Sequence, residues 1–196
     1  MVKQGQVDDV LGNVLGMLAD LSKKLQNRIL LPSQLERFLK EKNPFDSIVT
    51  DKDKVLDVAV NRDRSIADGI AAGKYYSKHP DINDKNFPCT GSGTELIKII
   101  LVHFDKSMST GDVLKELGER NLRPADLQEL LAVGEQYPEE QRTCGIVALA
   151  SEWDKEFPFL TGETWIHGHR NLSLIYPENG WHSFGWGFAA VPKYQC

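Results

Sequence analysis

The chain of 196 residues holds only three cysteines, Cys89, Cys144 and Cys196, and no two of them form a CxxC pair. An odd, widely spaced set builds no disulfide framework, so free thiols in a reducing compartment are expected. The most apolar stretch, Ile97 to Val102, falls far short of the roughly 20 residues a membrane-spanning helix needs. Internal repeats and low-complexity tracts are lacking too. The opening Met1–Asp9 has no basic start followed by an apolar segment, so no secretory leader is expected and the cytoplasm is the expected compartment. Basic charge is also scarce. The net charge is −5, and the two locally basic stretches, Lys52–Lys54 and Arg62–Arg64, are split by Asp53 and Asp63. Proteins that follow phosphate backbones gather Lys and Arg on one face. Neither nucleic acid nor membrane is therefore an expected partner.

What is present suits a folded protein: 41% apolar and 26% charged residues supply both a core and a solvated surface. Val7, Leu11, Val14, Leu18, Leu21 and Leu25 recur in steps of four and three, which predicts a helix over 7–26 with a seam for another helix. Ser33 with Glu36 forms a capping box for a second helix over 33–42, which Asn43-Pro44 ends. Residues 1–46 thus read as a helical hairpin. It caps the core, supports a homo-oligomer through its seam, or offers a groove to a partner protein, which nothing in the sequence singles out.

The polar stretch 46–54 is the expected boundary, and a second domain spans 55–196. Val55–Val60 reads as a strand, and Ser65 with Asp68 caps a short helix that Gly73 closes. Residues 75–93, with Pro80, Pro88 and Gly91-Ser92-Gly93, form a long loop of the kind that carries function or motion. Glu95–Asp105 has little polar alternation and is expected to be a strand covered on both faces. Ser109 and Asp112 start a helix, and Pro124 stands as the first residue of another, which buries Leu127, Leu130, Leu131 and Val133. Strands follow at 146–150, at Leu172–Tyr176 and at 187–191, with a further short one between Phe157 and Trp165. The order strand, helix, helix, strands defines an α+β domain.

Five segments between Val58 and Lys193 carry a resemblance: Ile66–Tyr75, Leu101–Phe104, Leu122–Ala132, Ile146–Trp153 and Phe188–Lys193. Together they resemble a family of bacterial proteins with no assigned activity, and the N-terminal hairpin lies outside the match. The opening Leu122-Arg123-Pro124-Ala125-Asp126-Leu127 and the last strand also resemble landmarks of the C-type-lectin fold. That resemblance implies a strand, two helices and several strands with the terminal strands paired. It also implies a ligand surface between the second helix and the final strand. The calcium-site motifs of sugar-binding lectins are missing, and a shared fold selects no single activity.

All four tryptophans (Trp153, Trp165, Trp181, Trp186) and three of the five histidines (His167, His169, His182) fall in the last quarter of the chain. Aromatic and imidazole groups dominate binding surfaces, although tryptophans also pack between strands. Trp153 and Trp186 suit packing. Trp165 and Trp181 flank loop sequence and, with His167, His169, Arg170 and His182, make up the candidate ligand-binding surface. His167-Gly168-His169 would point two imidazoles the same way if extended, with His182 or Glu178 as a third ligand. No second cluster with matching spacing completes a metal site, so solvated loop histidines are expected. His103, inside a hydrophobic strand, reads as a hydrogen-bonded structural residue. Gly91-Ser92-Gly93-Thr94 lacks the lysine of a phosphate loop and reads as a turn.

The expected function is a non-catalytic binding module for an unknown protein or small ligand, without cofactor. The competing expectations are a metal-assisted enzyme using His167 and His169, and a structural or regulatory protein acting through the N-terminal helices.

Overall fold

A computed structural model describes residue 23 and residues 47–162, 169–182 and 185–193. The chain divides into two units, Met1–Asp46 and Ser47–Cys196. Of the helix expected over 7–26 only Lys23 is described, and it is helical; the rest of it, the helix expected over 33–42 and the oligomer seam they would form lie outside the described residues, as do Trp165 and His167.

The second unit is mixed α+β. Its elements are β1 (Lys54–Asn61), α1 (Ile66–Gly73), β2 (Ser77–Lys78), β3 (Thr94–Val102), α2 (Thr110–Glu119), β4 (Leu122–Pro124) and α3 (Leu127–Gln136). A short 3-10 turn (Glu140–Arg142) leads to β5 (Gly145–Val147), β6 (Phe157–Gly162), β7 (Arg170–Ile175) and β8 (Trp186–Pro192). The strands form one sheet in the order β1-β3-β8-β5-β6-β7-β2, and β4 also pairs with β8. Among the described residues no helix is long and apolar enough to cross a membrane.

Alternation along the strands divides the core in two. One face carries Leu56, Val58, Ile97, Ile99, Leu101, Ile146, Leu160, Leu172, Ala189 and Val191, against which α1 and α3 pack. The other face carries Ile100, Val102, Val147, Phe157, Phe188 and Ala190, covered by Val113 and Leu117 of α2. α2 covers only the centre of its face. Towards β1 the outer surface is bare: Val55 and Leu96 are exposed, and Lys98 pairs with Asp57 at 3.2 Å. β3 is therefore covered on both faces only in its second half, where the sequence predicted full coverage.

Local chemistry accounts for the helix ends. Ser65 Oγ accepts from Asp68 N at 3.0 Å and Ser109 Oγ from Asp112 N at 3.1 Å, the two caps read from the sequence. α1 ends at Gly73, yet the left-handed residue is Lys74 (φ 52°). Gly73 serves proximity instead, since a Cβ there would lie 2.2 Å from Cε2 of Tyr75. Pro124 does not open a helix. It closes β4, where a missing N–H costs nothing if the position needs no ladder bond. α3 starts three residues later on a capping box in which Asp126 Oδ1 accepts from Glu129 N and Glu129 Oε2 accepts from Asp126 N, both at 2.9 Å.

The division between the units falls at the start of the stretch 46–54 read as a boundary, and residues 47–54 belong to this unit. Ile48 N donates to Arg120 O at 2.8 Å, Arg120 Nε donates to Ile48 O at 2.9 Å, and the Arg120 guanidinium pairs with buried Asp53. The long loop is also anchored. Ile82 and Phe87 enter the core, and Asp84 Oδ1 accepts from Ile66 N at 2.7 Å. The glycine segment is a turn, with Gly91 and Gly93 at φ 89° and 78°. At the sheet's first edge, Gln136 bonds both N and O of Ala59 (3.0 and 2.8 Å), and Tyr137 Oη donates to Asp57 O at 2.8 Å.

A buried charge cluster ties β1 to α3. Glu129, with no exposed side-chain surface, accepts from Arg62 Nη2 at 2.5 Å and from Arg123 at 2.6 and 2.9 Å. Arg62 also reaches Asp126 (2.7 Å) and Glu95 (2.6 Å). Burial raises the Glu129 pKa, but the Arg123 hydrogen bonds and charge, the Asp126 amide and Arg62 outweigh it and hold the carboxyl below its ordinary range. A carboxyl depressed on folding stabilises fully above its unfolded pKa of about 4.3 and loses that contribution as pH falls through the lower folded value. Urea denaturation between pH 7 and 3 should therefore show this contribution constant down to about pH 5 and progressively lost as pH falls further. Glu129→Gln should cost about 3–5 kcal/mol at pH 7, because two arginines lose their shared partner, and should flatten the acid limb.

Candidate functional site

The four described members of the sequence-derived surface separate into two places. His169 and Arg170 lie at the start of β7, beside β2. Tyr76 N donates to Arg170 O at 2.8 Å and His79 N to Leu172 O at 2.9 Å, so the parallel β2–β7 pairing lays Tyr76 alongside His169. Their rings stack with centroids 3.7 Å apart and planes 5° from parallel. Tyr76 remains 71% exposed. A flat aromatic pair therefore sits on the surface at one edge of the sheet.

Arg170 beside it is engaged inward. Nη1 donates to Gly73 O at 2.8 Å, Nη2 to Gly134 O, and Nε to Gln141 Oε1 at 3.1 Å. The guanidinium also lies 5.2 Å from the centroid of the Tyr75 ring. Gly73 is the last residue of α1, and Gly134 is in the last turn of α3. One cation thus serves the carbonyl ends of two helices, where positive charge is favourable. Burial pushes the Tyr75 phenol above its ordinary pKa, so it stays neutral. Its fit depends on glycine, since a Cβ at Gly134 would lie 1.9 Å from Tyr75 Oη.

Trp181 belongs to the opposite face and is 2% exposed. Its backbone bridges Met108 in both directions, at 2.8 and 2.9 Å, and Nε1 donates to Thr110 Oγ1 at 3.0 Å. Its ring meets Trp186 and Phe188 edge-on at centroid distances of 5.4 and 5.3 Å. The structure therefore places this tryptophan in packing instead of on a ligand surface. The loop position suggested exposure, but the bridge to Met108 draws the loop inward under α2. His182, the next residue, is exposed. Trp153 and Trp186 pack against the two core clusters, as their sequence positions implied. His103 Nδ1 lies 3.1 Å from Trp186 O, a structural hydrogen bond of the expected kind.

Among the described residues, no three His, Cys, Asp or Glu side chains gather where a metal ion could be held. Cys89 and Cys144 are both free, and burial is the main cause that raises each thiol above its ordinary pKa. Neither is primed as a thiolate. Tyr76 is the residue that the sequence did not single out. Its only signal was a pair of adjacent tyrosines following the glycine that ends α1. No family model matches the chain, and no curated protein or solved structure matches it.

The two glycine environments in helices give opposite expectations. Gly134→Ala should destabilise by about 1–2 kcal/mol, because overpacking against Tyr75 exceeds the alanine helix preference. Gly118→Ala, where a Cβ would meet only Lys193 Nζ at 3.7 Å, should stabilise by up to about 1 kcal/mol. Thermal denaturation of the two variants reads the difference directly. In the same assay Arg170→Ala should cost about 1.5–3 kcal/mol, since two helix-end carbonyls lose a charged donor.

Proposed function

We propose that the chain is a non-catalytic binding module that recognises a protein or small ligand through the aromatic edge formed by Tyr76 and His169. The observation that carries this is the stacked pair itself: one face of Tyr76 is covered by His169 and most of the ring is open to solvent. An aromatic ring held in place offers contact area with little further loss of conformational freedom, which favours it as a binding anchor. The flanking Ser77 and Lys78 are exposed and supply polar groups around the ring. The ligand class that fits is one with a flat face able to stack on Tyr76.

A C-type-lectin-like arrangement remains part of this proposal. It is supported by the antiparallel pairing of β3 with β8, which encloses α2, α3 and the intervening strands. Architecture alone assigns no ligand.

An affinity pull-down from host lysate, using the full chain and its Tyr76→Ala, Tyr76→Phe and His169→Ala variants, tests the proposal. Position 76 is exposed, so the variants should fold with unchanged circular dichroism. A ligand retained by the wild type and by Tyr76→Phe, and reduced about tenfold or more by Tyr76→Ala, is the expected result. Equal recovery by all variants sinks it. A stoichiometric metal lost on His169→Ala would instead favour the metal-assisted reading.

A further inference from the structure

The charge around the aromatic edge has one sign. Tyr76 lies in the segment 74–78, which carries two lysines and no acid. Lys74 and Lys78 are exposed, and neither makes an ion pair among the described residues. Acids on the adjoining segments are turned elsewhere: Glu135 pairs with Arg64, Glu139 with Arg142 at 3.0 Å, and Asp81 faces His79 at 3.7 Å. Arg170 adds a further positive charge behind the ring, with its donors directed to Gly73, Gly134 and Gln141.

Backbone bonds fix where these groups stand. Tyr76 N donates to Arg170 O and His79 N to Leu172 O, so residues 76–79 run extended beside β7. Side chains of an extended segment alternate, so Tyr76 and Lys78 project to the same side, about 7 Å apart along the strand. His169 covers one face of the Tyr76 ring at a centroid distance of 3.7 Å, and the ring is otherwise largely open. A flat ligand on the open face therefore meets an ammonium group at the flank of the ring.

We propose that this edge binds a mononucleotide, with a purine base stacked on Tyr76 and its phosphate at Lys78 and Lys74. The inference rests on the reading of the Tyr76–His169 edge as the binding site, and adds to it the ligand's charge. Stacking on an aromatic side chain needs only a flat π face, and the ribose bridges the offset to the lysines. Two unpaired lysines suit one phosphate group; a phosphate backbone requires a longer basic track. An open edge buries less of its ligand than a closed pocket, so the affinity is millimolar.

Backbone amide NMR titration of the full chain with AMP, adenosine and ribose 5-phosphate reads the two halves of the site separately. AMP should shift the Tyr76, Ser77 and Asn171 amides saturably, adenosine should bind about fivefold more weakly, and ribose 5-phosphate should not bind. Tyr76→Ala should weaken AMP binding about tenfold or more. Lys78→Gln should weaken AMP binding about threefold and leave adenosine binding unchanged. Lys85→Gln, at an exposed residue outside the segment, should change neither. Absent saturable AMP shifts, or AMP binding indifferent to Tyr76→Ala, would overturn the proposal. So would equal AMP and adenosine affinities with no effect of Lys78→Gln, or hexadeoxyadenylate binding more than tenfold tighter than AMP. The binding-module reading is tested apart from this one: a lysate ligand lost with Tyr76→Ala, in a chain that does not bind AMP, keeps that reading and removes the mononucleotide.

Discussion

β8 bonds three other strands, and the rest of the described fold is arranged around that pairing. β3 runs along one edge through Ile100↔Ala190 to Val102↔Phe188. β5 pairs residues 186–188 on the other edge, and β4 pairs 190–192 beyond it. A strand engaged this way must be buried on both faces, and five consecutive residues, Gly187 to Val191, are. Ala189 faces one core cluster and Ala190 the other, so α3 and α2 lie against opposite sides of the same short segment. Small side chains there keep both helices close without strain.

Among the described residues the buried ion pairs lie at seams between elements. Glu129 joins β1, β4 and α3 because Arg62 and Arg123 converge on it, and Arg120 with Asp53 fastens the entry segment to the end of α2. A buried pair contributes less than its Coulomb attraction suggests, because desolvation opposes it. Its firmer consequence is register: a one-residue slip of β1 would remove Arg62 from all three of its carboxylates.

Much of the fold was legible because it obeys local rules. The Ser65 and Ser109 caps, the β1 and β8 runs and the apolar stripe of α3 all declare themselves through side-chain chemistry within a few residues. Pro124 misled because proline suits both a first helical turn and the end of a strand; the capping box two residues later decides between them. The Leu96 face misled because composition cannot tell how far α2 reaches. The candidate site was less legible. His169 was visible as a residue type, but its stacking on Tyr76 arises from a parallel pairing between segments about 90 residues apart, which no local pattern records. Trp181 looked like a loop residue until its bridge to Met108 placed it in the core.

The side chains of Gln136 and Tyr137 on the free edge of β1 also bear on how this unit can associate. They fill backbone positions of Asp57 and Ala59 that another extended chain would need, while at the opposite edge β2 pairs with only Asn171 and Leu172 of β7. Growth of the sheet by strand addition is thereby hindered at the β1 edge, where Gln136 and Tyr137 occupy Ala59 and the Asp57 carbonyl.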